Sequence, residues 1–147
     1  ATIAVSDQII IRPNFTLSRN KNIDLNVAGE DYGTKDISYS PSVIAGNIIV
    51  YKPTENFQIS LLQKYVGKQY MNNIELADAK LASYFVNDLN VAYEIKPKSV
   101  FKSIIITGLV NNVLDKKYVS NGYMWDVYPY YYPQAGINFL AGLTLKF

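Results

Sequence analysis

The sequence contains no cysteine and no histidine. Disulfides and thiolate chemistry are therefore excluded, along with the commonest metal ligands and the side chain that moves protons near neutral pH. The acidic residues are scattered, so a calcium loop has little to build on. No run approaches the ~20 consecutive apolar residues that a membrane-spanning helix requires. The formal net charge is only +2, and no basic block marks a nucleic-acid partner. A G-x-S-x-G nucleophile, a P-loop and a dinucleotide-binding glycine fingerprint are all missing. Asp88 and Glu94 share a strand face but lie ~20 Å apart at strand rise. A glycosidase carboxylate pair needs less than ~10 Å. These absences argue against an enzyme, and neither a cofactor nor a metal is expected.

What the chain does have is alternation. In its last stretch, Ile137, Phe139, Ala141, Leu143, Leu145 and Phe147 fall on one face, while Asn138, Leu140, Gly142, Thr144 and Lys146 fall on the other. That is a β-strand with one wholly apolar face, since side chains alternate across a strand. Such a face needs a cover, and two are available: the core of a soluble β-domain, or lipid. Tyrosine is abundant, with 13 residues beside 6 Phe and 1 Trp. Its amphipathic ring favours strands and membrane–water boundaries.

Taken in order, Ala1 to Val5 reads as a strand end, followed by a turn at Ser6-Asp7-Gln8. The opening residues lack the charged and apolar regions of a signal peptide, so a mature form or a fragment is expected. From Ile9 to Arg19, Ile9, Ile11, Phe15 and Leu17 oppose Arg12, Asn14, Thr16 and Ser18, with Pro13 marking a weak point or bulge. Asn20 to Asp36 reads as a loop. Ile37 to Tyr51, Phe57 to Val66, Leu81 to Ile95 and Val100 to Val110 read as strands; in the last, contiguous Ile104, Ile105 and Ile106 leave the faces ambiguous. The segment around Leu76 to Phe85 could hold a helical turn or two. The expected fold is an all-β antiparallel meander of six or seven strands.

The connections alternate in length. Lys52–Asn56 and Lys96–Ser99 are short, with turn chemistry. Gly67–Lys80 and Asn111–Gln134 are long. Transmembrane barrels have short turns at one rim, long loops at the other and aromatic girdles at both. Tyr51, Phe57, Tyr93, Phe101 and Phe147 would fall beside the short turns, and Tyr65, Tyr84, Phe85 and Tyr118 near the long loops. Several runs also exceed the ~5–6 residues of an average globular strand. Transmembrane β-barrel strands are favoured. A small autonomous outer-membrane barrel, structural or adhesive, and a soluble lipocalin-like binding module remain as alternatives.

Three segments carry a family resemblance. YVGKQY (Tyr65 to Tyr70), NVLDKKY (Asn112 to Tyr118) and the closing GINFLAGLTLKF resemble the C-terminal barrel region of TonB-dependent outer-membrane receptors. The second is similar to the family's Asn-Leu-Phe-Asp-Lys-x-Tyr pattern, and Tyr39-Ser40-Pro41 resembles Bacteroidetes-type members. The resemblance implies that residues 1–147 are a C-terminal segment of a larger barrel, with no plug domain, since ~8 strands are the fewest that close. It further implies a bacterial outer-membrane location and a role in nutrient uptake. The implied partners are outer-membrane lipid, the remainder of the barrel and its plug, the TonB complex acting through that plug, and a surface lipoprotein lid in some versions. Phe147 resembles the terminal aromatic that serves as an assembly signal; its plain alternative is one more girdle ring.

The expected ligand-facing residues are Tyr123, Trp125, Tyr128, Tyr130, Tyr131 and Tyr132, because aromatic loop residues hold sugars, flat chelates or peptides by stacking and through their hydroxyls. The competing reading is that these rings pack on one another and pin the loop. Lys64, Asp88 and Glu94 read as solvated wall residues. Asn112 and Asp115 are suited to the turn where a strand gives way to a loop.

Overall fold

A computed structural model describes residues 1–97 and 100–147. Lys98 and Ser99, half of the expected turn at Lys96–Ser99, lie outside the described residues. The principal sheet has seven antiparallel strands: β1 (Ile3–Ala4), β2 (Ile9–Leu17), β5 (Val43–Thr54), β6 (Phe57–Val66), β9 (Tyr84–Ile95), β10 (Ser103–Asn111) and β13 (Asn138–Lys146), paired in that order. It is an open meander: β1 and β13 are its edges, and they do not pair with each other. Seven strands do not close on themselves, in agreement with part of a larger barrel.

The connections are sorted by end. β1–β2, β5–β6 and β9–β10 are joined by short segments, and the other three connections are long. Each long connection contains its own two-stranded ribbon: β3 (Lys21–Val27) with β4 (Glu30–Asp36), β7 (Gln69–Tyr70) with β8 (Lys80–Leu81), and β11 (Val119–Trp125) with β12 (Tyr128–Pro133). Since successive strands reverse direction, all three ribbons rise from one rim.

Cross-strand partners share a face, so the register assigns every side chain. One face carries Ile9, Ile11, Pro13 and Phe15 of β2 with Tyr51, Ile49, Asn47 and Ala45 of β5. It continues through Phe57, Ile59, Leu61, Gln63 and Tyr65 of β6 opposite Tyr93, Val91, Leu89, Asn87 and Phe85 of β9. It ends at Ile104, Ile106 and Val110 of β10 opposite Leu145, Leu143 and Phe139 of β13. The register thus resolves the isoleucine run: Ile104 and Ile106 lie on this apolar face, and Ile105 lies on the other, opposite Glu94 and Thr144. The second face mixes Arg12, Asn14, Ser60, Lys64, Asp88, Asn90, Glu94 and Lys146 with aliphatic residues.

Aromatic side chains of the apolar face stand exposed along the sheet: Phe15 is 63% exposed, Phe85 and Tyr93 45% each, and Phe139 83%. Among the described residues no element packs over the apolar face. A soluble sandwich or lipocalin would bury those rings, so the soluble alternative fits this arrangement poorly.

Girdle positions follow. Phe57 and Tyr93 meet edge-on at 6.2 Å beside the short turns, and Phe101 lies 5.0 Å from Phe147 at the same rim. Tyr65 and Phe85 oppose each other near the long loops. From Phe57 to Tyr65 the strand advances ~26 Å, which at a barrel strand's ~40° tilt spans ~20 Å of the ~25 Å apolar band. Tyr84 departs from the expected girdle: it lies on the mixed face, one residue out of phase with Phe85, and its ring packs 4.5 Å from Tyr118.

The ribbons in the long connections differ from the expected loops. Residues 20–36 form a hairpin tied by a Lys21–Asp36 ion pair. The expected helical segment contains a single 3-10 turn at Ala77–Ala79.

Candidate functional site: an aromatic hairpin on a tied loop cluster

The base of the site is the NVLDKKY segment leaving β10. Asn112 and Asp115 both have positive φ, 50° and 47°, a conformation Asn and Asp tolerate better than most residues. Asn112 is buried. Its backbone N–H donates to Asp88 Oδ1 at 2.7 Å, its Oδ1 accepts from the Lys116 N–H at 2.9 Å, and its Nδ2 donates to the carbonyls of Lys116 and Ala135. Asp115 Oδ1 accepts from the Ile137 N–H at 2.9 Å and from Lys117 Nζ at 2.9 Å. These two side chains therefore close the loop between β10 and β13. The Ile137 N–H, then the Lys117 ammonium, hold the Asp115 carboxyl below the ordinary carboxylate range. Gly136 leaves room for this arrangement, because a Cβ there would collide with Asp115 Oδ1 and stand 2.8 Å from Lys117 Nζ.

Above this base stands the β11–β12 hairpin. Its register pairs Tyr123 with Tyr130, Trp125 with Tyr128 and Asn121 with Tyr132. Five of the six expected residues, Tyr123, Trp125, Tyr128, Tyr130 and Tyr132, consequently share one face. Tyr123 and Tyr130 stack at 5.0 Å with 12° between planes, and Tyr132 lies 6.0 Å from Tyr123. All five are exposed, Trp125 at 71%. They form an outward platform of rings.

Tyr131 is the exception. It lies on the opposite face with Gly122, Met124 and Pro129, and its hydroxyl donates to the Asp78 carbonyl at 2.6 Å. That face covers a small core of Met71, Ala79 and Leu81, joined by Val119 and Met124. Gly122 permits the close approach, since a Cβ there would come within 2.6 Å of Met71 Sδ and collide with the Tyr130 carbonyl. The hairpin thus divides the rings: Tyr131 bonds to the neighbouring connection, while the other five lie together on the opposite face, with Tyr123 stacked among them.

Sequence reasoning missed Tyr39 as part of the site. Its hydroxyl donates to the Gly122 carbonyl at 2.9 Å, and its N–H donates to the Tyr70 carbonyl at 2.8 Å. Asp36 N–H donates to Glu75 Oε1 and Ser38 N–H to Asn73 Oδ1, so the three long connections are bonded into one cluster. Tyr39, Gln69, Ser120, Asn121, Gly122, Tyr123 and Tyr132 line an open cleft of about 600 Å³ beside the platform. The Tyr39-Ser40-Pro41 and YVGKQY segments, read from sequence only as family resemblances, supply Tyr39 and Gln69 to this cleft. Among the described residues no group of His, Cys, Asp and Glu side chains could hold a metal ion.

No protein-family model matches the chain, nor does the sequence of any curated protein. Solved structures do. The siderophore receptor PiuA from Acinetobacter baumannii is 18% identical with a TM-score of 0.69, over 97% of this chain and 20% of that one. The ferric-catecholate import receptor Fiu from E. coli K12, in its closed form, is 16% identical with a TM-score of 0.66, over 93% and 18%. The ferric citrate transporter FecA in its unliganded form is 17% identical with a TM-score of 0.65, over 92% and 20%. The fold is therefore that of part of these proteins, and the chain spans about a fifth of their length.

Proposed function

We propose that the chain forms a sector of the wall and part of the outer mouth of an outer-membrane nutrient-uptake receptor. One observation carries this reading: a seven-stranded sheet exposes an apolar face between two aromatic rims, and all three long connections rise from one of them. Lipid is the cover such a face fits. The free edges β1 and β13 would pair with the remainder of the barrel, and a plug would fill the lumen against the mixed face. TonB would act on that plug, not on this chain. A lipoprotein lid would find its contacts on the tied loop cluster. Phe147, 70% exposed beside Phe101, would serve as the assembly signal.

The rings of Tyr123, Trp125, Tyr128, Tyr130 and Tyr132 would receive the ligand, with the adjoining cleft taking its polar edge. Stacked phenols and an indole suit a ligand with flat or apolar ring faces. The structural neighbours are named for siderophores, ferric catecholate and ferric citrate, and a compact chelate of that kind is the ligand class we propose.

Fractionation tests the reading. The chain should sediment with outer membranes and leave them only in detergent, inside an assembly much larger than itself. Recovery as a soluble monomer without detergent contradicts it.

A further inference from the structure

We infer that the outer rim carries a binding site for a phosphate-bearing lipid headgroup. The site lies where the apolar face meets the loops. Lys80, Lys116 and Lys117 line a cleft of about 330 Å³ between the chain entering β9 and the chain entering β11. Directly adjoining it, Tyr65, Phe85 and Leu114 line a second cleft of about 400 Å³. The two share Ser83 and Lys116.

Together the two clefts set ammonium groups beside apolar wall. Tyr65 and Phe85 belong to the apolar face, and Leu114 is 68% exposed beside them. The lower cleft thus has the lipid-facing wall along one side, with Tyr84 of the mixed face and Lys116 completing it. The upper cleft sets three lysines beside Leu81, Ala82, Val119 and two tyrosine rings. Among the described residues Lys117 pairs with Asp115, and the remaining ion pairs are Lys21–Asp36 and Lys96–Glu94. Lys80 and Lys116 therefore have no acidic partner among the described residues. Two unpaired ammonium groups stand over an apolar wall, at the level where acyl chains give way to headgroups. Lysine stems lie along apolar surface while the charge reaches polar surroundings, and basic rim clefts attract anionic headgroups at about tenfold or less per lysine. A soluble anion would use the upper cleft alone. A phosphorylated lipid uses both, with its acyl chain against Tyr65, Phe85 and Leu114.

This inference rests on the lipid-facing assignment of the apolar wall, and the experiment separates the two. The barrel that carries this chain is placed in phosphatidylcholine nanodiscs with spin-labelled phosphatidic acid as probe, and the motionally restricted fraction is compared with that of spin-labelled phosphatidylcholine. Phosphatidic acid should be preferred by roughly tenfold, and the Lys80→Gln/Lys116→Gln variant should reduce that preference to about twofold or less. That variant leaves the Lys117–Asp115 contact in place, and Lys116→Arg should restore much of the preference. Equal restriction of both lipids, or a preference unchanged in the double variant, overturns the site. Displacement of the probe by millimolar inorganic phosphate overturns the lipid assignment in favour of a free-anion site. Failure of the barrel to enter nanodiscs at all sinks the membrane reading instead.

Discussion

Gln63 Nε2 donates to Asn87 Oδ1 at 3.0 Å on the otherwise apolar face of the sheet. Asn47 Nδ2 donates in turn to Gln63 Oε1 at 3.2 Å, so three amides run as a chain across β5, β6 and β9. The chain sits one residue pair inside the Tyr65–Phe85 rim. Its ends, Asn47 Oδ1 and Asn87 Nδ2, are buried without partners among the described residues.

Gln63 is therefore the link whose loss costs most. Gln63→Leu strands a donor on Asn47 and an acceptor on Asn87, and should destabilise the barrel by about 1–3 kcal/mol. Replacing Asn47, Gln63 and Asn87 together by Leu removes both partners of each bond and should be far milder, or stabilising. Urea unfolding of the parent barrel in lipid vesicles distinguishes these outcomes. A triple variant weaker than Gln63→Leu would contradict the ladder's account.

Asn112 closes the β10–β13 loop through its side chain and its positive φ. Asn112→Ala removes three side-chain hydrogen bonds and places alanine at φ 50°, so a loss of about 2–4 kcal/mol is expected. Asn112→Gly restores the backbone freedom and should be less damaging. Equal damage from both would assign the whole effect to the side chain.

Asp115 gives the loop a pH dependence of definite sign. Its carboxyl is held below the ordinary range, so its anchoring is fully present above about pH 4. It weakens as pH falls through the lowered folded-state value. Hydrogen exchange of residues 112–137 should accelerate at strongly acidic pH relative to the strands, and Asp115→Asn should remove that extra acceleration. Identical acid profiles for wild type and variant would contradict the assignment.

Tyr131 and the platform residues should separate in hairpin stability. Tyr131→Phe removes the bond to Asp78 and should speed hydrogen exchange of residues 119–133 by about fivefold, the equivalent of ~1 kcal/mol. Tyr128→Phe, on the exposed face, should leave exchange unchanged. The reverse pattern would put the pin on the wrong face.

The strands were legible because one face of each is apolar: the alternation of β2, β6, β9 and β13 reads directly from residues such as Phe57, Ile59, Leu61 and Tyr65. Alternation failed at Ile104–Ile106, where both faces accept isoleucine and only register with Tyr93 and Leu143 decides. The loop ribbons were illegible for different reasons. Pro129 and Pro133 argue against strand in β12, and the β3–β4 turn is made by Ala28 at φ 53° before Gly29, without an Asn-Gly or Asp-Gly signature. The six aromatic candidates were picked out by composition alone. Their division into five presented rings and one pin is a property of pairing across the hairpin, which composition does not carry.

Collision accessibility of single spin labels tests the central claim most directly, because the chain has no cysteine to remove. Labels at Leu61→Cys, Leu89→Cys and Val91→Cys, in the barrel reconstituted in bilayers, should meet dissolved oxygen and be shielded from an aqueous nickel chelate. Labels at Ser60→Cys, Asn90→Cys and Ala92→Cys should not share that signature. Alternation with this phase places the apolar face in lipid; nickel access at Leu61, Leu89 and Val91 would contradict the account.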